Sequence, residues 1–194
     1  MYPSDLGATL GERLDRAPSP QPSPGDRLAA VLVPVIEGPE PALVFTKRTD
    51  ELPRHPGEIS FPGGLVEPGD AGLEQTALRE SHEELGLDPS LVRIVGALAP
   101  IHTFVSGILV VPFVGILAAR PAFLPDAGEI AEVLEFPVQL LASAEARVEW
   151  QLEHDVYRGF AYEVNGRTIW GATAWMLHQF LDLLRSETPW MIHS

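Results

Sequence analysis

The sequence contains no cysteine, which excludes disulfides and thiolate metal ligands and leaves the redox compartment open. Basic residues are scarce: 13 Lys and Arg stand against 27 Asp and Glu, giving a formal charge of −14. Duplex nucleic acid and anionic membrane surfaces both require a basic footprint, so neither is expected as a partner. A polyanionic small molecule would approach such a surface only through divalent cations or a local basic patch. Long hydrophobic runs are also missing. The longest, Ile108 to Ala119, is interrupted by Pro112 and Gly115 and is too short to span a bilayer. The opening stretch MYPSDLGATLGERLDRAP has neither a basic n-region nor an apolar h-region, so no secretory signal is expected and the cytoplasm is the default location. What is present is an ordinary globular composition, 45% hydrophobic and 21% charged over 194 residues, sufficient to bury one core.

Leu6, Leu10 and Leu14 share one helical face after Ser4-Asp5, which predicts a short amphipathic helix. APSPQPSPGD, Ala17 to Asp26, reads as an extended linker because repeated X-Pro pairs exclude helix. An N-terminal segment, residues 1–27, and a main domain, residues 28–194, follow from this. LAAVLVPVI and ALVFTKR read as a pair of strands joined by the turn EGPEP, and GEISFPGG as a further strand stopped by Pro62 and the glycines. A helix is predicted from Leu73 to Leu85, ended by Gly86. LVRIVGALA, GILVVPFVGILA, Glu129 to Phe136, ARVEWQLE, GFAYEVN and RTIWGA are strand-like, with PVQLLAS a short helix among them. The Asn-Gly pair in VNGR suits a type I′ hairpin turn, and a closing helix is predicted from Ala172 to Arg185. The fold class is α+β: a sheet domain with one internal and one closing helix.

Chemistry concentrates in the predicted internal helix. Positions i, i+3 and i+4 lie on one helical face, so Glu80, Glu83 and Glu84 project together with Arg79 beside them. An acidic run is most often a solvated face. Carboxylates this close repel one another unless a cation joins them, and hard ions such as Mg²⁺ or Mn²⁺ prefer oxygen ligands. Pro62-Gly63-Gly64 opens the preceding loop. Glycine lets a backbone approach a ligand closely, so the Gly63 carbonyl is a further candidate metal oxygen.

Loop, helix and acids together form G-x5-D-x8-R-E-x-x-E-E-x-G-L, running Gly64, Asp70, Arg79, Glu80, Glu83, Glu84, Gly86, Leu87. This pattern resembles the Nudix box, the loop–helix–loop that binds divalent metal in hydrolases of nucleoside diphosphates linked to another group. Asp70 stands where the box usually has Glu, the spacer before Arg79 is one residue longer than the general pattern, and Ser81 occupies a normally apolar position. The longer spacer is similar to that of the coenzyme A pyrophosphatases. So is the upstream LVFTKRTDELPRHPGEISFPGG, in which Thr46, Arg48, His55, Gly57, Phe61, Pro62, Gly63 and Gly64 fit that branch, with Thr49 for its Ser and Pro53 for a frequent Arg.

The resemblance implies a Nudix fold, a mixed β-sheet sandwiched between helices. It also implies Mg²⁺ or Mn²⁺ bound by Glu80, Glu83, Glu84 and Gly63, with Glu67 and Asp70 holding the loop or an outer-shell water. The implied reaction cleaves coenzyme A, or its oxidised or acylated forms, to 3′,5′-ADP and 4′-phosphopantetheine. Glu80 with Arg79 beside it, or an acid of PDAGEIAEVLEF such as Glu129 or Glu132, is expected to supply the base. Lys47, Arg48, Arg54 and His55 form a basic cluster expected to hold substrate phosphates, Arg48 that of the 3′ position. The alternatives are another diphosphate such as ADP-ribose or NADH, or a non-catalytic nucleotide sensor. Monomer and homodimer both remain open, as does the role of the N-terminal helix.

Overall fold

The computed structural model describes residues 5–52, 55–103, 107–151 and 156–187. Strand β1, Arg27–Ile36, runs through the middle of the main sheet. Its side chains alternate between two apolar layers: Ala30 and Leu32 face one, Ala29, Val31, Val33 and Val35 the other. A strand buried on both faces reads as a near-continuous apolar run, the pattern of parallel pairing. Accordingly β1 pairs in parallel along its whole length with β7, Ile108–Leu117, from Arg27↔Ile108 to Ile36↔Leu117.

Strand β2, Ala42–Arg48, meets β1 only beside their connecting turn, at Val35↔Leu43 and Ile36↔Ala42. The expected hairpin therefore exists only at its closed end. Beyond it β2 diverges to pair with β3, Ile59–Ser60, and β8, Ile130–Pro137. The vacated edge of β1 is taken by β4, Gly63–Leu65, through Ala29↔Leu65, Ala30↔Gly64 and Val31↔Gly63. The backbone N–H of Leu32 donates to the Pro62 carbonyl at 2.9 Å, fixing this insertion. The FPGG segment is thus wedged between two strands. On the far side of β7 lie β5, Val92–Ala97, and β6, Ile101–Thr103; the latter falls where the sequence suggests only a connecting loop.

One face of the sheet is covered by α2, Leu73–Leu85, which buries Ala77 and Leu85 against Ala30, Leu32, Val44, Val111 and Leu117. Ser81 lies on the same buried face, its hydroxyl donating to the Ala77 carbonyl at 2.7 Å, so a polar side chain is satisfied within the helix. The helix ends where expected, at Gly86 in the left-handed conformation. The other face carries the larger core, built from α1, Leu6–Gly11, α3, Val138–Ala144, α4, Gly171–Glu187, and a second sheet of β9, Glu145–Gln151, β10, Val156–Val164, and β11, Arg167–Ile169. Asn165 and Gly166, both at positive φ, make the predicted hairpin turn. Leu6, Leu10 and Leu14 are buried in this core, so the N-terminal helix packs on the domain itself. The result is a mixed sheet between helices, an α+β architecture. No helix among the described residues is long and apolar enough to cross a membrane.

Candidate active site

Three elements converge at the wedge between β1 and β2: the Gly63-Gly64 start of β4, the C-terminal half of α2, and the chain entering β8. The glycines set how closely they approach. A Cβ on Gly63 would lie 2.5 Å from the Ala30 carbonyl oxygen, and one on Gly64 2.5 Å from the Glu80 carboxyl carbon. No side chain fits at either position without moving the strand or the acid.

Glu84, 7% exposed, points to these glycines and accepts from the Gly63 N–H at 3.3 Å. Burial, reinforced by the charge of Glu80, pushes its pKa up to about 8. The Arg48 guanidinium and the Gly63 N–H only partly offset this. Burial also raises Glu80, against the hydrogen bond it receives from Arg79. Two neighbouring carboxylates whose charged forms are both disfavoured mark a place lacking positive charge.

Arg79 organises the other side of the helix. Its Nε donates to Asp70 Oδ1 at 3.0 Å and its Nη2 to Asp70 Oδ2 at 3.1 Å, a two-point grip. The same guanidinium reaches the Leu65 carbonyl at 3.1 Å, Glu80 at 2.9 Å and Glu83 at 3.2 Å. Asp70 also accepts from the Thr76 hydroxyl at 2.8 Å and the Glu67 N–H at 2.9 Å. Hydrogen bonds from Arg79, Glu67 and Thr76 hold its carboxyl well below the usual range. Asp70 and Arg79 therefore lock the loop 65–72 to the helix. Thr76 is part of this lock and was not singled out from sequence; its signal is a polar residue one helical step from the buried Ala77.

The three glutamates do not act alike. Glu80 and Glu84 converge on the β4 glycines, Glu80 while also bonded to Arg79, whereas Glu83 meets Arg79 and stands 57% exposed in side chain. Among the described residues no three acidic or histidine side chains are gathered at metal-ligand spacing. The donor set nonetheless fits a hard divalent cation. It consists of carboxylate oxygens in charge excess, two of the carboxylates held against the β4 glycines.

Arg48, at the end of β2, lies on the α2 side of the sheet. Its Nη1 stands 4.0 Å from Glu84 Oε1 and 3.9 Å from Glu129 Oε2. Glu129 is placed there by main-chain bonds: Thr49 N–H donates to its carbonyl at 2.9 Å, and an extra β8 residue, Ala131, bulges opposite the Lys47–Arg48 step. Lys47 alternates to the opposite face of β2, the face of Phe45. His55, at positive φ, bonds Glu58 at 2.8 Å and is exposed. Arg54 falls outside the described residues. Glu132, the other acid proposed from that segment, is held by Arg167 Nη2 at 2.6 and 2.8 Å, so its oxygens are engaged on β11. Nothing in the local sequence announces that pairing, because the two residues meet only through the second sheet.

Comparisons with known proteins agree with this geometry. The NUDIX domain family model matches residues 26–156. A protein of Pectobacterium atrosepticum named Nudix hydrolase NudL, itself uncharacterized, is 37% identical over 182 residues, covering 91% of this chain and 92% of its own length. Its Yersinia enterocolitica namesake is 38% identical over 184 residues, 89% and 92% of the two chains. Among solved structures, the NUDIX domain of Shewanella oneidensis NrtR, complexed with ADP ribose, superposes with a TM-score of 0.54 at 14% identity over 84% of this chain and 88% of that one. The E. coli ORF135 protein gives 0.52 at 17% identity over 86% and 97%. These structural likenesses speak for the fold, and the NudL relatives span nearly the full chain. With the box residues folded around the β4 glycines as described, the chain belongs to the Nudix hydrolases, enzymes of nucleoside diphosphate derivatives.

Proposed function

We propose that this hydrolase cleaves the diphosphate of coenzyme A, and of its oxidised or acylated forms, releasing 3′,5′-ADP and 4′-phosphopantetheine or its derivative. The observation that carries the reading is the convergence of the upstream T-x-R…G…F-P-G-G segment on the box acids. Arg48 from the first part and Gly63 from the last both meet Glu84.

Glu80, Glu84 and, after leaving Arg79, Glu83 would hold Mg²⁺ or Mn²⁺, with the Gly63 carbonyl as a further oxygen. Bound there, such cations neutralise the diphosphate and lower the pKa of the attacking water. Glu129 is the best-placed base. Glu80 is bonded to Arg79 and Glu132 to Arg167, whereas the Glu129 carboxylate is 52% exposed and faces only Arg48 at 3.9 Å among the ion pairs described. Arg79 and Asp70 keep the helix and its loop in register rather than touching the reacting atoms. Arg48, so close to the acids, would meet the diphosphate itself rather than the distant 3′-phosphate.

Cleavage of ADP-ribose is the second reading, supported by the fold shared with the ADP-ribose-bound NrtR domain. Retention of Glu80, Glu83 and Glu84 argues against a sensor without activity. Incubation with coenzyme A, acyl-coenzyme A, ADP-ribose and NADH in Mg²⁺ or Mn²⁺, with products followed by mass, separates the three. The expected result is 3′,5′-ADP formed at the highest kcat/KM from a coenzyme A substrate. Preference for ADP-ribose, or binding without turnover, would replace it.

A further inference from the structure

Two arginines serve the acidic end of this molecule, and their surroundings differ. Arg79 makes hydrogen bonds of 2.9 to 3.2 Å to Asp70, Glu80, Glu83 and Leu65. Arg48 makes no side-chain hydrogen bond among the described residues, and its buried Nε has no partner. Its guanidinium hangs between Glu84 and Glu129, at 4.0 and 3.9 Å, close enough for attraction and too far for hydrogen bonding. An arginine evolved to hold two carboxylates would close on one of them with its planar fork, as Arg79 does with Asp70. Arg48 is positioned as a loose monovalent charge about equally far from two acids. A smaller divalent ion would hold Glu84 more strongly.

We propose that Arg48 is a built-in counter-ion of the acidic site. In protein stripped of divalent cations it stands in for them beside Glu84, with the base Glu129 on its other side. It competes with the first cation to arrive, and when displaced it turns toward the diphosphate. The proposal rests on the metal-site reading above and deepens it by assigning Arg48 to the control of metal affinity as well as to substrate. The geometry makes the exchange cheap in motion. The Arg48 main chain is fixed in β2, bonded to the Glu58 carbonyl at 3.0 Å, so only the side chain needs to swing. Coulomb attraction scales with charge, so a divalent ion outcompetes a guanidinium for Glu84, but each time it must first overcome the guanidinium.

The test is Mn²⁺ titration without substrate, read by the electron paramagnetic resonance signal of the free ion, on the wild type, Arg48→Gln and Arg48→Lys. Removing the resident charge is expected to tighten Mn²⁺ binding about tenfold in Arg48→Gln, while Arg48→Lys, which keeps the charge, stays near the wild type. Equal or weaker binding in Arg48→Gln overturns the counter-ion role while leaving the metal site intact. A wild type that binds no Mn²⁺ overturns the metal-site reading and this proposal with it. A crystal of the wild type soaked in Mn²⁺ gives a check that needs no variant. Arg48 is expected to have left the space between Glu84 and Glu129, and an ion bound with the guanidinium still about 4 Å from both acids overturns the proposal.

Discussion

Glu84 and Glu145 are the same residue type, both largely withdrawn from solvent, and their titration shifts in opposite directions. Glu84 meets one distant arginine, one backbone N–H and a second carboxylate, and its pKa rises to about 8. Glu145, at the start of β9, is also penalised by burial. That penalty is outweighed by hydrogen bonds from the Tyr162 hydroxyl at 2.7 Å, His178 at 3.1 Å and Arg185 at 2.9 Å, and its pKa falls. One acid is satisfied by its own fold and ties β9, β10 and α4 together. The other is left in need of positive charge. Burial alone therefore does not set the direction of a carboxylate's shift; the number of donors facing it does.

Replacing each acid by its amide tests the contrast. Glu84→Gln is expected to lower kcat by about 10²–10³-fold, the usual scale for losing one electrostatic contact to the reacting group, with an unchanged circular dichroism spectrum. Near-normal turnover would remove Glu84 from the chemistry. Glu145→Gln should do the reverse, lowering unfolding stability by about 1–3 kcal/mol through the donors it leaves mispaired while kcat stays near that of the wild type. A loss of activity without a loss of stability would break the distinction.

The pH dependence of stability in chelator-treated protein sharpens it. Glu84 has a folded pKa above its unfolded 4.5, so its contribution is full below 4.5 and is lost as pH rises through about 8. Glu145 has a folded pKa below 4.5, so its contribution is full above that value and is lost as pH falls through the lowered one. Thermal melts should accordingly show an alkaline limb that Glu84→Gln flattens and an acid limb that Glu145→Gln flattens. Mn²⁺ should raise the melting temperature most above about pH 8, where the folded Glu84 is ionised, by binding the folded state alone. The smallest expected effect is that of Tyr162→Phe, which removes one donor from Glu145 and should cost about 1 kcal/mol in a denaturant melt.

Much of this was legible along the chain because the signals are local. The periodicity from Leu73 to Leu85, the stop at Gly86 and the Asn-Gly turn act through neighbouring residues, and each holds. The position of Glu80 and Glu84 beside the β4 glycines follows from the helical spacing together with the box resemblance. Pairing partners were less legible. The parallel β1–β7 ladder and the insertion of β4 join segments far apart in sequence, and an apolar strand carries no mark of which neighbour it takes. The split of Glu83 from its two companions depends on which acids meet the β4 glycines across the fold, which spacing cannot give. The Glu145 network was invisible because its partners lie 17, 33 and 40 residues away.

The link between α2 and β8 has a consequence for how the site can drift. Leu124 N–H donates to the Leu85 carbonyl, Asp126 N–H to that of Glu84, Glu129 N–H to that of Asp126, and Thr49 N–H to that of Glu129. The gap between Glu84, Glu129 and Arg48 is therefore measured by peptide groups, not by the identities of the residues that bridge it. Descendants of this chain can rewrite exposed side chains such as that of Leu124 and inherit the same dimensions, whereas a proline at 124 or 126 would delete a rung and unmoor Glu129 from the helix.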